Sequence, residues 1–206
     1  LQKKGYLITF EGGEGAGKST QIKRTAAYAR SLGFKVKSLR EPGGTTISEA
    51  IRNVLLDRKH HKMTPQTELL LYLAARAQII AEKIKPAIEK GYVVICDRFE
   101  DSTLAYQGYG RGFKTREIKE VSKKFVRGNL QADLTVLLDI APEKGLARGG
   151  RHDRMEQESL VFHRKIRKGF LTLAKQNRKR YLVLDATKSK NEITIEIKQR
   201  VSNVLK

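Results

Sequence analysis

The sequence predicts an α/β fold: a five-stranded parallel sheet with helices on both faces. Three observations predict it. Short apolar runs alternate with longer helical patterns along the 206-residue chain, the order expected of parallel strands joined by helical crossovers. Two of those runs, YVVIC at 92–96 and the stretch from Leu134 to Ile140, are unbroken, as strands covered on both faces require. The first run, YLITF at 6–10, leads directly into EGGEGAGKST at 11–20, a glycine-rich turn that opens a helix.

Taken in order, Tyr6 to Glu11 reads as the first strand and Ser19 to Leu32 as a helix ended by Gly33. Phe34 to Leu39 is the second strand, and EPGGT after it is a turn, because Pro42 and two glycines break any regular element. Residues 46–56 read as helical. So does a long run from about Pro65 to Lys90, with Pro86 placed to kink it and Gly91 to end it. The third strand is Tyr92 to Cys96, the fourth Leu134 to Ile140 and the fifth Tyr181 to Leu184, and NEITIEIKQRVSNVLK closes the chain as a helix. No linker divides the chain, so residues 1–206 are expected to form a single domain, with RGGRHDR at 148–154 as a mobile loop.

Composition narrows the function. Hydrophobic residues make up 39%, and no apolar run approaches a membrane span. The apolar stretch after Lys3 and Lys4 is too short for a signal peptide, and the single cysteine fits a reducing, cytoplasmic setting. A single cysteine, Cys96, excludes an internal disulfide and a cysteine-only zinc site. The net charge of +20, from 42 basic and 22 acidic side chains, fits phosphorylated small molecules or nucleic acid as partners. The basic residues are dispersed, so much of that charge reads as solvated surface.

Gly12, Gly17, Lys18 and Ser19 have the spacing G-x-x-x-x-G-K-S. Glycines let the backbone curl so that successive N–H groups face phosphate oxygens, and the helix that follows adds its positive end. Lys18 reaches the outer phosphates, and the Ser19 hydroxyl is placed to ligate Mg²⁺. The expected nucleoside triphosphate site is therefore Gly12, Gly13, Glu14, Gly15, Ala16, Gly17, Lys18, Ser19 and Thr20. At the end of the third strand, Asp97 is expected to hold Mg²⁺ directly or through water, and Arg98 to face an anion, because ligands gather at the carboxyl ends of parallel strands. DSTLAYQGYGRG at 101–112 has the tyrosines, glutamine and glycines of a small-molecule pocket.

The succession FEGGEGAGKST, REPGGT, LLLYLAARAQ, CDRFEDSTLAYQG, DLTVLLD, DRMEQES and LDAT resembles the bacterial thymidylate kinases from about residue 5 to 190. The resemblance implies the adenylate-kinase-like group of P-loop NTPase folds, a homodimer, and transfer of phosphate from ATP to thymidine monophosphate (dTMP). No specific nucleic-acid partner and no membrane partner are implied. It also implies roles. Glu14 lies toward the acceptor's sugar. An aromatic at Tyr72 stacks on thymine, where phenylalanine is more usual. Arg76 donates to the 4-carbonyl, and Tyr106 packs against the sugar's 2′ carbon. Ser102, Thr103 and Gln107 line the same pocket, and Ala186 in LDAT borders the adenine through backbone atoms. Tyr72 and Arg76, four apart, share a helix face.

The chemistry asks for cations. A phosphate monoester is already ionised at neutral pH, so no general base is required. Two like unit charges 4 Å apart repel by roughly 4 kcal/mol at an effective dielectric of 20. Arg98 and Arg40 are the candidates for the acceptor phosphate, and Lys18 with Mg²⁺ for the donor. Some thymidylate kinases carry an arginine inside the P-loop, and GGEGA has none. The missing cation is then expected from a lid at about 148–155, from Arg151 and Arg154 ahead of Arg148. Glu11 is expected to order the loop or bind water near the metal, and Asp139 and Asp153 to be structural. A deoxynucleoside kinase would instead need a base near its acceptor hydroxyl. A DNA-binding P-loop ATPase, suggested by the charge, would need aromatic–basic interleaving that the sequence lacks.

Overall fold

The structure, a computed structural model, describes residues 4–149 and 153–206. β1 (Tyr6–Glu11) and α1 (Lys18–Ser31) flank the glycine-rich loop, followed by β2 (Val36–Arg40), α2 (Thr46–Leu56) and α3 (Pro65–Ile79). Then come α4 (Lys85–Glu89), β3 (Val93–Asp97), α5 (Glu100–Thr103), α6 (Thr115–Ser122), β4 (Leu134–Asp139), α7 (Pro142–Gly149), α8 (Leu160–Gln176), β5 (Tyr181–Asp185) and α9 (Lys190–Val204). The strands lie in the order β2-β3-β1-β4-β5, and every pair is parallel.

The central strands β1, β3 and β4 are buried along nearly their whole length, which explains their unbroken apolar runs. Alternate residues feed opposite layers. Ile8, Phe10, Ile95, Val136 and Leu138 pack with α1 and α9. On the other face, Leu7, Val94 and Cys96 pack against Ile79, Ile84 and Ala87, and Leu137 against Phe162, Ile166 and Phe170 of α8. β2 is an edge strand with a mostly exposed pattern, and the charge of Lys37 on it disfavours pairing with a further strand.

One stretch differs from the sequence expectation. The long helix expected over 65–90 is interrupted before Pro86 by a π-helical turn at Ile80–Ile84. The proline lacks the N–H that an α-helical ladder would use at that point, and the wider turn absorbs the gap. The cluster at 101–112 is also helical: α5 continues into a π-helical segment, Leu104–Gly110. Its wider turn is stitched to α8, where Tyr106 meets Phe162 and Phe170 edge to face.

Candidate active site

The phosphate loop is built at the carboxyl end of β1. Gly17 caps α1 in a left-handed conformation (φ 88°) that a side chain would resist. Gly15 and Gly145 let α7 lie directly on the loop: a Cβ on Gly15 would sit 2.0 Å from the Gly145 carbonyl oxygen, and one on Gly145 2.3 Å from that of Glu14. Lys18 is buried and donates to the carbonyls of Gly12 (3.1 Å) and Gly13 (3.0 Å). Burial and neighbouring Arg98 push its ammonium below the ordinary range, against Glu14, Asp97 and Glu11.

Across the sheet edge, β3 delivers Asp97 and Arg98. Arg98 has φ 67° and is the only non-glycine with positive φ among the described residues. Such a conformation costs of order 1–3 kcal/mol and persists where surrounding contacts hold it. Its guanidinium donates to Glu14 Oε1 (2.6 Å), the Gly12 carbonyl (3.1 Å) and Ser102 Oγ (3.3 Å), and lies 5.1 Å from the centre of the Tyr106 ring. The Tyr106 hydroxyl also donates to Glu14 (2.9 Å). Burial pushes the Glu14 carboxyl up, but Arg98, Lys18 and Tyr106 outweigh it and hold it at about 2. Glu11, wholly buried, accepts from the Phe99 N–H (2.8 Å) and the Ser102 hydroxyl (2.5 Å). Burial, with Asp101 adding to it, lifts its carboxyl to about 8.

These groups open into one cavity of about 450 Å³, a size typical of small-molecule sites. The cavity brings together Glu14, Gly15, Ala16, Gly17, Lys18, Ser19 and Thr20 from the loop with Arg40, Tyr72, Arg76, Asp97, Arg98, Ser102, Thr103, Tyr106 and Gln107. Gly12 and Gly13 do not line it, but their carbonyls accept from Lys18, which does.

Tyr72 and Arg76 reach the cavity from one face of α3. Arg76 is buried, with Nε 2.5 Å from Glu41, Nη1 2.7 Å from Thr103 Oγ1 and Nη2 3.0 Å from the Phe99 carbonyl. Three of its five N–H groups are thus committed, which leaves two for a ligand. Arg40 is half-exposed, and its Nη2 bonds both carboxylate oxygens of Glu49. Asp97 Oδ1 is buried without a hydrogen-bond partner. With the Ser19 hydroxyl in the same cavity, that oxygen fits Mg²⁺, which keeps waters and takes phosphate oxygens instead of an all-protein cage.

The arginines of the 148–154 segment are arranged differently from the expectation, with Arg148 inside the last turn of α7. Arg154 does not line the cavity. It is buried, donating from Nε to the Leu55 carbonyl (2.8 Å) and pairing with Glu68 (2.8 Å). Glu68, in turn, takes Gln107 and both donating groups of Arg111. Arg148, ranked last from the sequence, does line the cavity and donates to the Ala186 carbonyl (3.2 Å). Ala186 itself is buried outside that cavity, and Arg151 lies outside the described residues. Asp139 pairs with Arg167 at 2.7 and 2.8 Å, a structural role. Asp153 both lines the cavity and accepts from the N–H groups of Met155 and Glu156.

Arg52 was missed. It extends from α2 into the cavity and donates to the Pro42 carbonyl (2.9 Å). Its signal in the sequence was a lone arginine in an amphipathic helix, which nothing distinguishes from a solvated charge.

The family model for thymidylate kinase matches residues 10–197. The chain belongs to the thymidylate kinase family. It is 48% identical to the thymidylate kinase of Deinococcus radiodurans over 97% of both chains. To that of Geobacter sulfurreducens it is 50% identical over 88% of this chain and 89% of the relative. The crystal structure of thymidylate kinase from Ehrlichia chaffeensis superposes with a TM-score of 0.78 at 32% identity, covering 97% of this chain and 99% of that one. The strand order and the P-loop are thus those of a thymidylate kinase, and the cavity is its candidate active site.

Proposed function

We propose that this thymidylate kinase transfers the γ-phosphoryl group of ATP to thymidine 5′-monophosphate through the cavity described above. One observation carries the reading: the phosphate loop with Lys18 and the helix face bearing Tyr72 and Arg76 open into the same space. A donor phosphate at the first and a pyrimidine at the second set the acceptor phosphate between them, beside Arg98.

In this reading Gly12 to Thr20 hold the donor, and Lys18 leaves the Gly12 and Gly13 carbonyls for its outer phosphates. Ser19 and Asp97 would hold Mg²⁺, and the ion would supply charge neutralisation at the donor phosphates. Arg98 receives the acceptor phosphate, with Arg40 and Arg52 adding positive potential to the same cavity. The acceptor arrives ionised, so positioning and charge neutralisation supply the catalysis. Glu14, held ionised by Arg98, accepts from the sugar's 3′-hydroxyl. Tyr106 fills the space beside the 2′ carbon. Tyr72 stacks on thymine, and the free N–H groups of Arg76 donate to its 4-carbonyl. A cytosine amino group would leave them unpaired in a buried site. Arg148, in the last turn of α7, supplies the cation that the P-loop lacks. The enzyme works as a homodimer in the cytoplasm. In support, no helix among the described residues is long and apolar enough to cross a membrane, and Ile47, Val54 and Leu70 leave apolar surface exposed on α2 and α3.

An ADP-release assay across thymidine, thymidylate, deoxycytidylate and uridylate tests the reaction. Turnover is expected with thymidylate. Fast turnover with thymidine and none with thymidylate would overturn the assignment.

A further inference from the structure

We propose that Glu11 is a positioning residue that holds the strained backbone at Arg98 and aims its guanidinium into the acceptor site. The inference rests on the reading of Arg98 as the cation for the acceptor phosphate.

Glu11 ends β1, and Arg98 follows β3, the neighbouring parallel strand. Between them the backbone must leave the sheet in a left-handed turn at Arg98. The turn is held on both sides. The Arg98 N–H donates to the Phe10 carbonyl (2.9 Å), and the next N–H, of Phe99, donates to Glu11 Oε1 (2.8 Å). A single buried carboxylate thus fixes the peptide that follows the strained residue.

The second oxygen acts on the side chain. Ser102 donates its only proton to Glu11 Oε2 (2.5 Å), which leaves its oxygen lone pairs turned toward Arg98 Nη1 (3.3 Å). The result is a directed chain, guanidinium to hydroxyl to carboxylate. Both donors to Glu11, the Phe99 N–H and the Ser102 hydroxyl, lie on the Arg98 segment. A fully buried carboxylate is costly compared with an amide or apolar group of the same shape. Its placement where every bond serves the turn carrying Arg98 points to a functional reason for it.

Glu11→Gln tests this, because the side chain keeps its shape. The amide oxygen can still accept from Phe99, but the NH₂ group then faces Ser102 as a donor. The hydroxyl must reverse, and it no longer presents both lone pairs to Arg98. The expected result is a kcat about 10- to 100-fold lower, a raised KM for thymidylate, and a KM for ATP and a melting midpoint close to wild type. In an Arg98→Ala background the same change should alter kcat by less than about twofold, because positioning acts only through the residue positioned. If Glu11→Gln does not accumulate as folded protein, Glu11→Asp carries the same test, being too short to meet Phe99 and Ser102 together. A kcat within about twofold of wild type, or a loss fully retained in the Arg98→Ala background, overturns the proposal. A wild-type protein inactive on thymidylate would instead remove the functional reading beneath it.

Discussion

In the proposed function Arg98 concentrates the chemistry at the scale of single residues. Its guanidinium is tied to Glu14, Gly12 and Ser102 before any substrate arrives, so its position is set by the protein. Arg98→Ala is expected to lower kcat by about 10³ or more while ATP affinity stays near wild type; steady-state kinetics and ATP titration check this. In the proposed function Arg76 serves base recognition, and its buried pairing with Glu41 ties it to folding as well. Arg76→Gln should relax the preference for thymidylate over deoxycytidylate, but it also leaves Glu41 buried without its cation, at a cost of about 3–5 kcal/mol. A paired Glu41→Gln, Arg76→Gln variant should recover much of the melting midpoint and isolate the selectivity change. Arg148 and Arg154 should divide the same way. Arg148→Ala lowers kcat with little effect on melting, whereas Arg154→Ala mainly lowers the melting midpoint, because it withdraws a buried partner from Glu68. The spacing of Tyr72 and Arg76 was legible in the sequence because four residues make one helical turn. The pairing of Arg154 with Glu68, 86 positions earlier in the chain, was not, because only tertiary packing brings those elements together.

At the scale of elements, the meeting of α7 with the phosphate loop depends on two missing side chains. Gly15 and Gly145 face each other at a separation that a methyl group on either would close to about 2 Å of a carbonyl oxygen. Gly145→Ala must therefore displace the loop or the helix. A loss of about 1–3 kcal/mol of stability is expected, as for other overpacked contacts, together with a raised KM for ATP. Denaturant titration and kinetics read the two effects separately. The strands were legible from their apolar runs to within one or two residues, since burial on both faces leaves no room for polar positions. The π-helical turns at Ile80–Ile84 and Leu104–Gly110 were not legible. A hydrogen bond displaced by one residue leaves no trace in hydrophobic periodicity, and only the packing of these segments selects it.

For the whole molecule, partly buried Glu14 and fully buried Glu11 give stability opposite dependences on pH. The Glu14 carboxyl is held at about 2 in the folded chain, against an ordinary value of 4.5, so unfolding takes up a proton in acid. Its contribution is complete above pH 4.5 and is lost as pH falls toward 2. Glu11 sits at about 8, so its folded form keeps a proton that the unfolded chain releases. Its contribution is complete below pH 4.5 and is lost as pH rises through 8. Melting curves from pH 3 to 9 are expected to show a flattened acid limb in Glu14→Gln and a flattened alkaline limb in Glu11→Gln. By itself the sequence determined the sheet, the phosphate loop between β1 and α1 and the family to which the chain belongs, because each is written in contiguous residues whose spacing follows from backbone geometry. The tertiary structure decided which arginines face the cavity and which are held by buried carboxylates. A charge carries the same letter whether it is solvated, paired or aimed at a ligand, and only the partners gathered from distant parts of the chain distinguish those states.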